Sequence, residues 1–354
     1  MFNATRALNG ILPSPYAWAH KNRVCKRLSP PTGFIMSKPT VYVLDPYHFD
    51  ATSLMQSTDW IQVILPDDPR RVDWHDNADG VIIRSETRLT ALDFDMAKKL
   101  KVVVKQGVGV DNIDLEAARK AGIAVHNTPA LNSETVAEYA LAMTMSMARR
   151  VPELDRQIRA GQKLVRSQML GLSLHQKMVG VVGMGNIGKL VAKKFIGACE
   201  ARVIGYDPVA PPDAWSDVEH VRASSLQELL RASDVVTLHV PLLDSTRGMI
   251  GRKEMDSMKD TAILVNTSRG GIVEEAALLD TLKGGKLWGA VLDAMEVEPP
   301  TKEVYGEFLR LDNVIITPHV GAGTRENQSN SGLAVVRTLL AVLQGEPHAP
   351  GKLV

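Results

Sequence analysis

Three side chains in the second half of the chain could between them hold an acid and move a proton: the guanidinium of Arg269, the carboxylate of Glu298 and the imidazole of His319. Arg269 follows the apolar run ILVNTS and precedes Gly270 and Gly271, which leave room beside it. A planar guanidinium can bind a carboxylate through two parallel N–H bonds and polarise a neighbouring carbonyl oxygen. His319 follows VIITP and opens into Val320-Gly321-Ala322-Gly323. Imidazole, with an unperturbed pKa of about 6.5, is the side chain suited to take a proton from an alcohol near neutrality. Glu298, followed by Pro299-Pro300, is the candidate to orient that ring and favour its protonated form. Taken singly, each has an ordinary alternative, a surface salt bridge or a structural histidine. Together they supply a carboxylate clamp, an orienting acid and an acid-base group.

A second constellation lies upstream, in Lys177 to Asp207. The run Met178 to Val182 feeds into Gly183-Met184-Gly185-Asn186-Ile187-Gly188, where the first glycine permits a tight turn, the second lets backbone approach a pyrophosphate and the third allows close packing of the next helix. Asn186 and Ile187 begin that helix and direct backbone N–H groups at the phosphates. Asp207 closes the following apolar run at about the spacing, roughly 20 residues, of a ribose-binding acid. A carboxylate there accepts from a free 2′-hydroxyl and repels a 2′-phosphate, so the expected cofactor is NAD. His239 and Pro241 close another apolar run and are expected to wall the cofactor cleft, with His239 the second-choice catalytic histidine. Asp293, at the end of GAVLD, could accept from a nicotinamide carboxamide or cap the next turn.

These residues need strand ends to stand on. From Thr40 the chain alternates TVYVLD, WIQVIL, GVIIRS and KVVVKQ with helical stretches such as Leu92 to Leu100, and the alternation resumes from Met178 with strands at 235–241, 262–270, 289–294 and 314–321. The pattern predicts doubly wound parallel sheets, whose ligands lie beyond the carboxyl ends of the strands. Between them, helices are expected over Leu115 to Ala121 with Asp114 as cap, Ser133 to Arg150 crossing between lobes, Ser225 to Arg231 and Glu274 to Leu282, and a last helix, Gln328 to Leu343, returning to the first lobe. In the first half, Val108 and Gly109 offer backbone N–H groups that can hold a carboxylate, and Arg84 ends a strand nearby. Glu86 beside it makes that corner unfavourable for a phosphorylated substrate.

Composition narrows the class. A chain of 354 residues with 45% hydrophobic and 23% charged residues suits two globular domains, and no apolar run approaches the roughly 18 residues of a membrane span. Only Cys25 and Cys199 are present, without metal-ligand spacing, so neither a disulfide framework nor a metal site is expected and a reducing compartment is. Arg6, Lys21, Arg23, Lys26, Arg27 and Lys38 all precede the first acid, Asp45, so the body is mildly acidic and a nucleic-acid surface is not expected. Residues 1–37 read as a disordered or targeting extension. A cytoplasmic location is expected, or a mitochondrial one if that basic, acid-free leader is a transit peptide.

From about Thr40 to the C-terminus the motifs resemble the D-isomer-specific 2-hydroxyacid dehydrogenase family: GVGVDNID at 107–114, NTPALNSETVAEYAL at 127–141, VVGMGNIGKLVAKKF at 181–195 with YDP, DVVTLHVPLLDSTRGMI at 234–250, LVNTSRGGIVEEAAL at 264–278, LDAMEVEP at 292–299 and ITPHVGAGT at 316–324. The resemblance implies a Rossmann cofactor domain over 133–323, a flavodoxin-like substrate domain from 38–132 with 324–354, a cleft between them and a homodimer. It also implies that Arg269 binds substrate carboxylate and carbonyl, that His319 and Glu298 are the acid-base pair, that Val108 and Gly109 contact the carboxylate, and that Asp207, Thr267 and Asp293 contact NAD. The implied reaction interconverts a D-2-hydroxy acid and its 2-oxo acid. Alternatives are an NAD(H)-sensing, corepressor-like interaction protein and, among enzymes, a 3-phosphoglycerate dehydrogenase. Glu86 stands where the latter carry a basic residue, and a regulatory domain after Val354 is not expected, which weakens that assignment. Leu292-Asp293-Ala294-Met295 departs from the LDVF or LDVY of many relatives beside Glu298.

Overall fold

Short β-branched runs that read as continuously apolar are stable only when both faces of their sheet are covered. That is the arrangement in the computed structural model, which describes residues 37–354; the extension expected over 1–37 otherwise lies outside the described residues. Two parallel-sheet α/β domains result. The first sheet comprises β1 (Thr40–Val43), β2 (Gln62–Ile64), β3 (Gly80–Ile83), β4 (Val102–Lys105) and β5 (Ala124–His126) in the order β2-β1-β3-β4-β5, every pair parallel. This is the flavodoxin-type order. Alternate residues of β4 serve opposite faces: Val103 packs with Phe94 and Ile113, whereas Val102 and Val104 pack with Val335, Val336 and Leu339.

Those last three side chains belong to the helix Arg325–Leu343, which returns to the first sheet as expected and begins three residues earlier than the apolar pattern indicated. It approaches closely because Gly80 has no side chain; a Cβ there would stand 2.9 Å from Leu339 Cδ1. Truncating fully buried Leu339 to alanine would cost about 2–5 kcal/mol.

The second sheet comprises β6 (Met178–Val182), β7 (Arg202–Tyr206), β8 (Val221–Arg222), β9 (Val235–Leu238), β10 (Ile263–Asn266), β11 (Gly289–Leu292) and β12 (Val314–Ile316), in the order β12-β11-β10-β9-β6-β7-β8 and again wholly parallel. The winding reverses between β6 and β9, which opens a crevice at their carboxyl ends. The glycine motif stands at the end of β6, and the strands that lead to Arg269, Asp293 and His319 are consecutive neighbours, β10, β11 and β12.

Three expectations need revision. The helix from Ser133 ends at Ala148, and a second helix, Val151–Arg159, follows. Arg150 between them adopts φ +57°, and Pro152 in the first turn of the second helix suits a start rather than a continuation. The first of these helices does not simply bridge the lobes: Ala137, Ala140 and Ala148 let it lie closely over the second sheet, against the helix Asn186–Cys199. Finally, the helix expected over Leu92 to Leu100 is Ala91–Met96, set at its start by a capping box between Thr90 and Asp93; beyond it Ala97 is extended and Lys98 N–H bonds to His75 O.

Candidate active site

The crevice end of β6 is shaped by what its glycines leave out. Gly183 takes φ +98° with its Cα against the His239 carbonyl, and a Cβ on Gly188 would collide with the carbonyl of Gly183, so helix and turn close on each other. Gly185 differs: nothing of the protein lies within 4 Å of where its Cβ would be. Open space there, in front of the unpaired N–H groups of the first turn of the helix Asn186–Cys199, fits a pyrophosphate. Asp207 is fixed by accepting from Met184 N–H at 2.9 Å and Val209 N–H at 3.0 Å, one bond per oxygen, leaving lone pairs for a ribose diol. Thr267 Oγ1 is buried and has no partner among the described residues, as a cofactor-facing hydroxyl would.

His239 donates to or accepts from Thr237 Oγ1 at 2.8 Å through Nε2, and its Nδ1 is buried without a partner among the described residues. Burial pushes its pKa down to about 3, so the ring is neutral, and no carboxylate among the described residues hydrogen-bonds to it. That disposition suits a wall of the cleft. Pro241 follows on the exposed side, its carbonyl accepting from Thr246 Oγ1 at 2.6 Å.

His319 is built differently. It stands two residues beyond Thr317 in a loop organised by Asp293, a carboxylate 1% exposed at the end of β11. Asp293 Oδ1 accepts from Thr317 Oγ1 at 2.7 Å and Val320 N–H at 2.9 Å, Oδ2 accepts from Gly321 N–H at 2.8 Å, and its backbone carbonyl accepts from His319 N–H at 2.8 Å. Of the two roles open to Asp293, the turn-holding one is thus fully made by protein groups. The loop keeps His319 at φ +54°, a left-handed conformation rare for a side-chain-bearing residue and stable only when its surroundings impose it.

His319 Nδ1 lies 3.0 Å from both oxygens of Glu298. Burial alone would raise the Glu298 carboxyl, but the His319 hydrogen bond and charge, the Met295 N–H and the charge of Arg269 outweigh it and hold the group below its usual range. An ionised Glu298 places a proton on Nδ1 and leaves Nε2 to exchange one with a ligand. The imidazole is exposed, and Nε2 bonds to no described residue.

Arg269 is braced from its own lobe and from the other. Asn266 Nδ2 donates to the Arg269 carbonyl at 2.8 Å, and Arg269 Nη1 donates to Ser268 O at 2.8 Å. Across the cleft, Nε donates to Asp111 Oδ2 at 2.9 Å, and Nη2 lies directly over the Cα of Gly109, where no side chain could fit. The backbone N–H groups of Val108 and Gly109 have no acceptor among the described residues, while Asn127 Nδ2 anchors the loop through the Val108 carbonyl at 2.7 Å. Guanidinium and amide donors therefore meet from opposite sides, a combination suited to a small carboxylate. Arg84 is tied elsewhere: its backbone N–H bonds to buried Asp45 at 2.5 Å and its Nη1 to the Pro46 carbonyl at 3.1 Å. Its charge acts on Lys105 at the end of β4.

Sequence reasoning missed three contributors. Asp111 was legible only as part of a turn, Asp45 as the end of an apolar run, and Lys105 as a polar residue closing a strand. Asp45, 2% exposed, holds the loop after β3 through Arg84 N–H, Thr87 N–H and the Thr87 hydroxyl.

Residues 141–321 match the model for the NAD binding domain of D-isomer specific 2-hydroxyacid dehydrogenases. The chain is 38% identical over 312 residues to a hydroxypyruvate reductase of Thermotoga maritima, covering 87% of this chain and 99% of that one. It is 40% identical over 269 residues to a D-3-phosphoglycerate dehydrogenase of Archaeoglobus fulgidus, covering 76% of this chain and only 50% of that longer protein. Among solved structures, the D-lactate dehydrogenase of Aquifex aeolicus in complex with NAD and lactic acid superposes with a TM-score of 0.76 at 28% identity, over 87% of this chain and 96% of that one.

Proposed function

Because the chain belongs to the D-isomer specific 2-hydroxyacid dehydrogenase family, we propose that it interconverts a D-2-hydroxy acid and its 2-oxo acid with NAD as cofactor. The observation that carries this is the His319–Glu298 pair at 3.0 Å, with Nε2 free and Arg269 standing in the same cleft beside the 108–109 amides. The glycine turn, Asp207 and Thr267 would hold the cofactor. When bound, NAD supplies the hydride acceptor for oxidation and, reduced, the donor for reduction. In oxidation His319 Nε2 takes the hydroxyl proton, and Glu298 stabilises the imidazolium that forms. In reduction the same nitrogen returns the proton to the oxygen. Arg269 and the two amides hold the carboxylate, and the guanidinium stabilises charge on the reacting oxygen. Glu298 and Asp293 are positioning groups: one sets the ring's tautomer, the other its backbone.

The division into a substrate domain over 38–132 with 324–354 and a cofactor domain over 133–323 is supported by the return of the helix Arg325–Leu343 to the first sheet. A homodimer is supported by Val151, Ile158, Val165 and Leu170, large apolar side chains exposed within one short stretch. A cytoplasmic location is supported by the scarcity of cysteine, with Cys199 a buried free thiol, and the mitochondrial alternative by the basic leader. The relatives do not favour the sensor alternative, being named as reductases and dehydrogenases. The test is a panel of 2-oxo acids with NADH. Oxidation of NADH by at least one small 2-oxo acid is expected, and its failure with glyoxylate, pyruvate, hydroxypyruvate and branched or aromatic 2-oxo acids alike would end the proposal.

A further inference from the structure

Glu298 reaches His319 from the turn that follows β11, a stretch that is neither helix nor strand. Its backbone is tied amide by amide instead. Met295 N–H donates to Glu298 Oε1 at 3.2 Å, Glu296 N–H to Glu275 Oε1 at 2.7 Å, and Val297 N–H to the Tyr305 hydroxyl at 2.8 Å. Glu275 opens the helix Glu275–Lys283 beyond β10, and Tyr305 closes the short helix Lys302–Tyr305. The Arg269 loop packs against the same peptide: a Cβ on Gly270 would collide with the Met295 carbonyl. The anchor within the turn, Met295 N–H, shares Oε1 with His319, so it fixes the carboxylate relative to the turn but not the turn relative to the ring. That second task falls to the two outside acceptors.

An acid in the first turn of a helix is ordinarily explained by the helix dipole, and a buried tyrosine by its packing, here against Phe308. Neither role calls for acceptors on successive amides of one turn. Both groups are also held at a cost. Glu275 is half-buried, and burial, with the charge of Glu296, raises its carboxyl above the usual range despite the Glu296 N–H. Tyr305 is 3% exposed, and burial raises its hydroxyl to about 12, so it stays neutral. We propose that Glu275 and Tyr305 are positioning residues for the acid-base pair: by gripping the amides of Glu296 and Val297 they hold the turn so that both oxygens of Glu298 face His319 Nδ1. Glu298 is the one charged partner of His319 among the described residues, so a turn that drifts weakens the hold on the imidazolium. The consequence for turnover rests on the dehydrogenase reading above, and the consequence for the ring does not.

The experiment uses Tyr305→Phe, which removes one oxygen, and Glu275→Ala, which removes one carboxylate, each in the full chain and in a Glu298→Ala background. Titration of the His319 imidazole by NMR needs neither substrate nor NADH. In each single variant it is expected to move to lower pH by about half a unit, the scale of a weakened, partly exposed charge pair, and not to move further once Glu298 is alanine. With NADH and a 2-oxo acid that the unaltered chain reduces, kcat should fall roughly tenfold at nearly constant KM, less than the loss for a full ångström of misplacement. Glu275→Gln, which keeps an oxygen for Glu296 N–H, should recover most of that. An unmoved titration in Tyr305→Phe would overturn the assignment even if Glu275→Ala failed to fold. So would an equal loss of kcat in the Glu298→Ala background, as a general structural role would give, or a higher KM for the acid at constant kcat, which would put the network on Arg269 through Gly270. Absence of turnover with every acid in the unaltered chain would end the dehydrogenase reading, and the titration would still decide whether these residues hold the pair.

Discussion

Two charged pairs serve the cleft, and they are assembled by different means. His319 and Glu298 both come from the second sheet's lobe and are held there by short-range structure: the buried Asp293 sets the histidine loop, and Met295 N–H anchors Glu298 at 3.2 Å. Arg269 and Asp111 come from opposite lobes, and their contact exists only while the two sheets present their loops to one another. The proposed acid-base pair is therefore complete within the lobe of the second sheet, whereas the proposed carboxylate clamp is completed by a residue from the lobe of the first. Proton transfer should be lost only by local damage, and substrate capture should respond to anything that separates the lobes.

The largest expected effect is on the first pair. His319→Asn should lower turnover by roughly 10²–10⁴, the usual scale for losing an acid-base group, with cofactor affinity measured by NADH fluorescence little changed. A near-normal rate would remove His319 from the role. Next comes Gly109→Ala. Its new Cβ would lie within 2.8 Å of Arg269 Cζ, so the guanidinium must move by about an ångström, and a misplacement of that size can cost about 10²-fold in kcat/KM. If instead steady-state kinetics were unaffected, the clamp would not be where the loops meet. Asp111→Ala should be milder, because the pair is partly exposed; a bond worth about 0–1 kcal/mol corresponds to at most about a fivefold loss, read as a higher KM with kcat nearly constant. A matching fall in kcat would show that the cross-lobe bond matters to chemistry and would blur the contrast drawn above.

The smallest effect is on stability. Glu298 is held below the ordinary carboxyl value of 4.5, so its ionised form favours the folded state. That contribution is present above about pH 4.5 and disappears as pH falls through the lower folded value. Thermal unfolding of the unaltered chain and Glu298→Gln should differ at neutral pH and converge in acid. A difference that grew on acidification would contradict the pairing.

Much of this was visible in the sequence because a parallel strand buried on both faces leaves a plain trace, and catalytic groups gather where that trace stops. Arg269, His319 and Asp207 each follow such a run, and the glycines of 183–188 have spacing with a steric meaning. What remained hidden depends on contacts without periodicity. Nothing local tells Asp111 that it will meet Arg269, or Lys105 that its strand end will be roofed by the 107–111 loop. The helix Val151–Arg159 beyond Arg150 went unread because only Val151, Leu154 and Ile158 give it an apolar face. Both roles of Asp293 follow from its place at a strand end, and only the folded loop shows that three donors of one turn converge on it.

The left-handed backbone at 319 has a practical consequence. Glycine adopts φ +54° without the steric cost other residues bear, so His319→Gly should fold with the turn undisturbed while deleting the ring entirely. Because the imidazole is solvent-accessible and Glu298 would remain in place to receive it, free imidazole in the buffer could occupy the vacated volume. Partial, concentration-dependent chemical rescue of NADH oxidation is the expected readout, and a bulkier, non-fitting amine of similar basicity should fail to provide it.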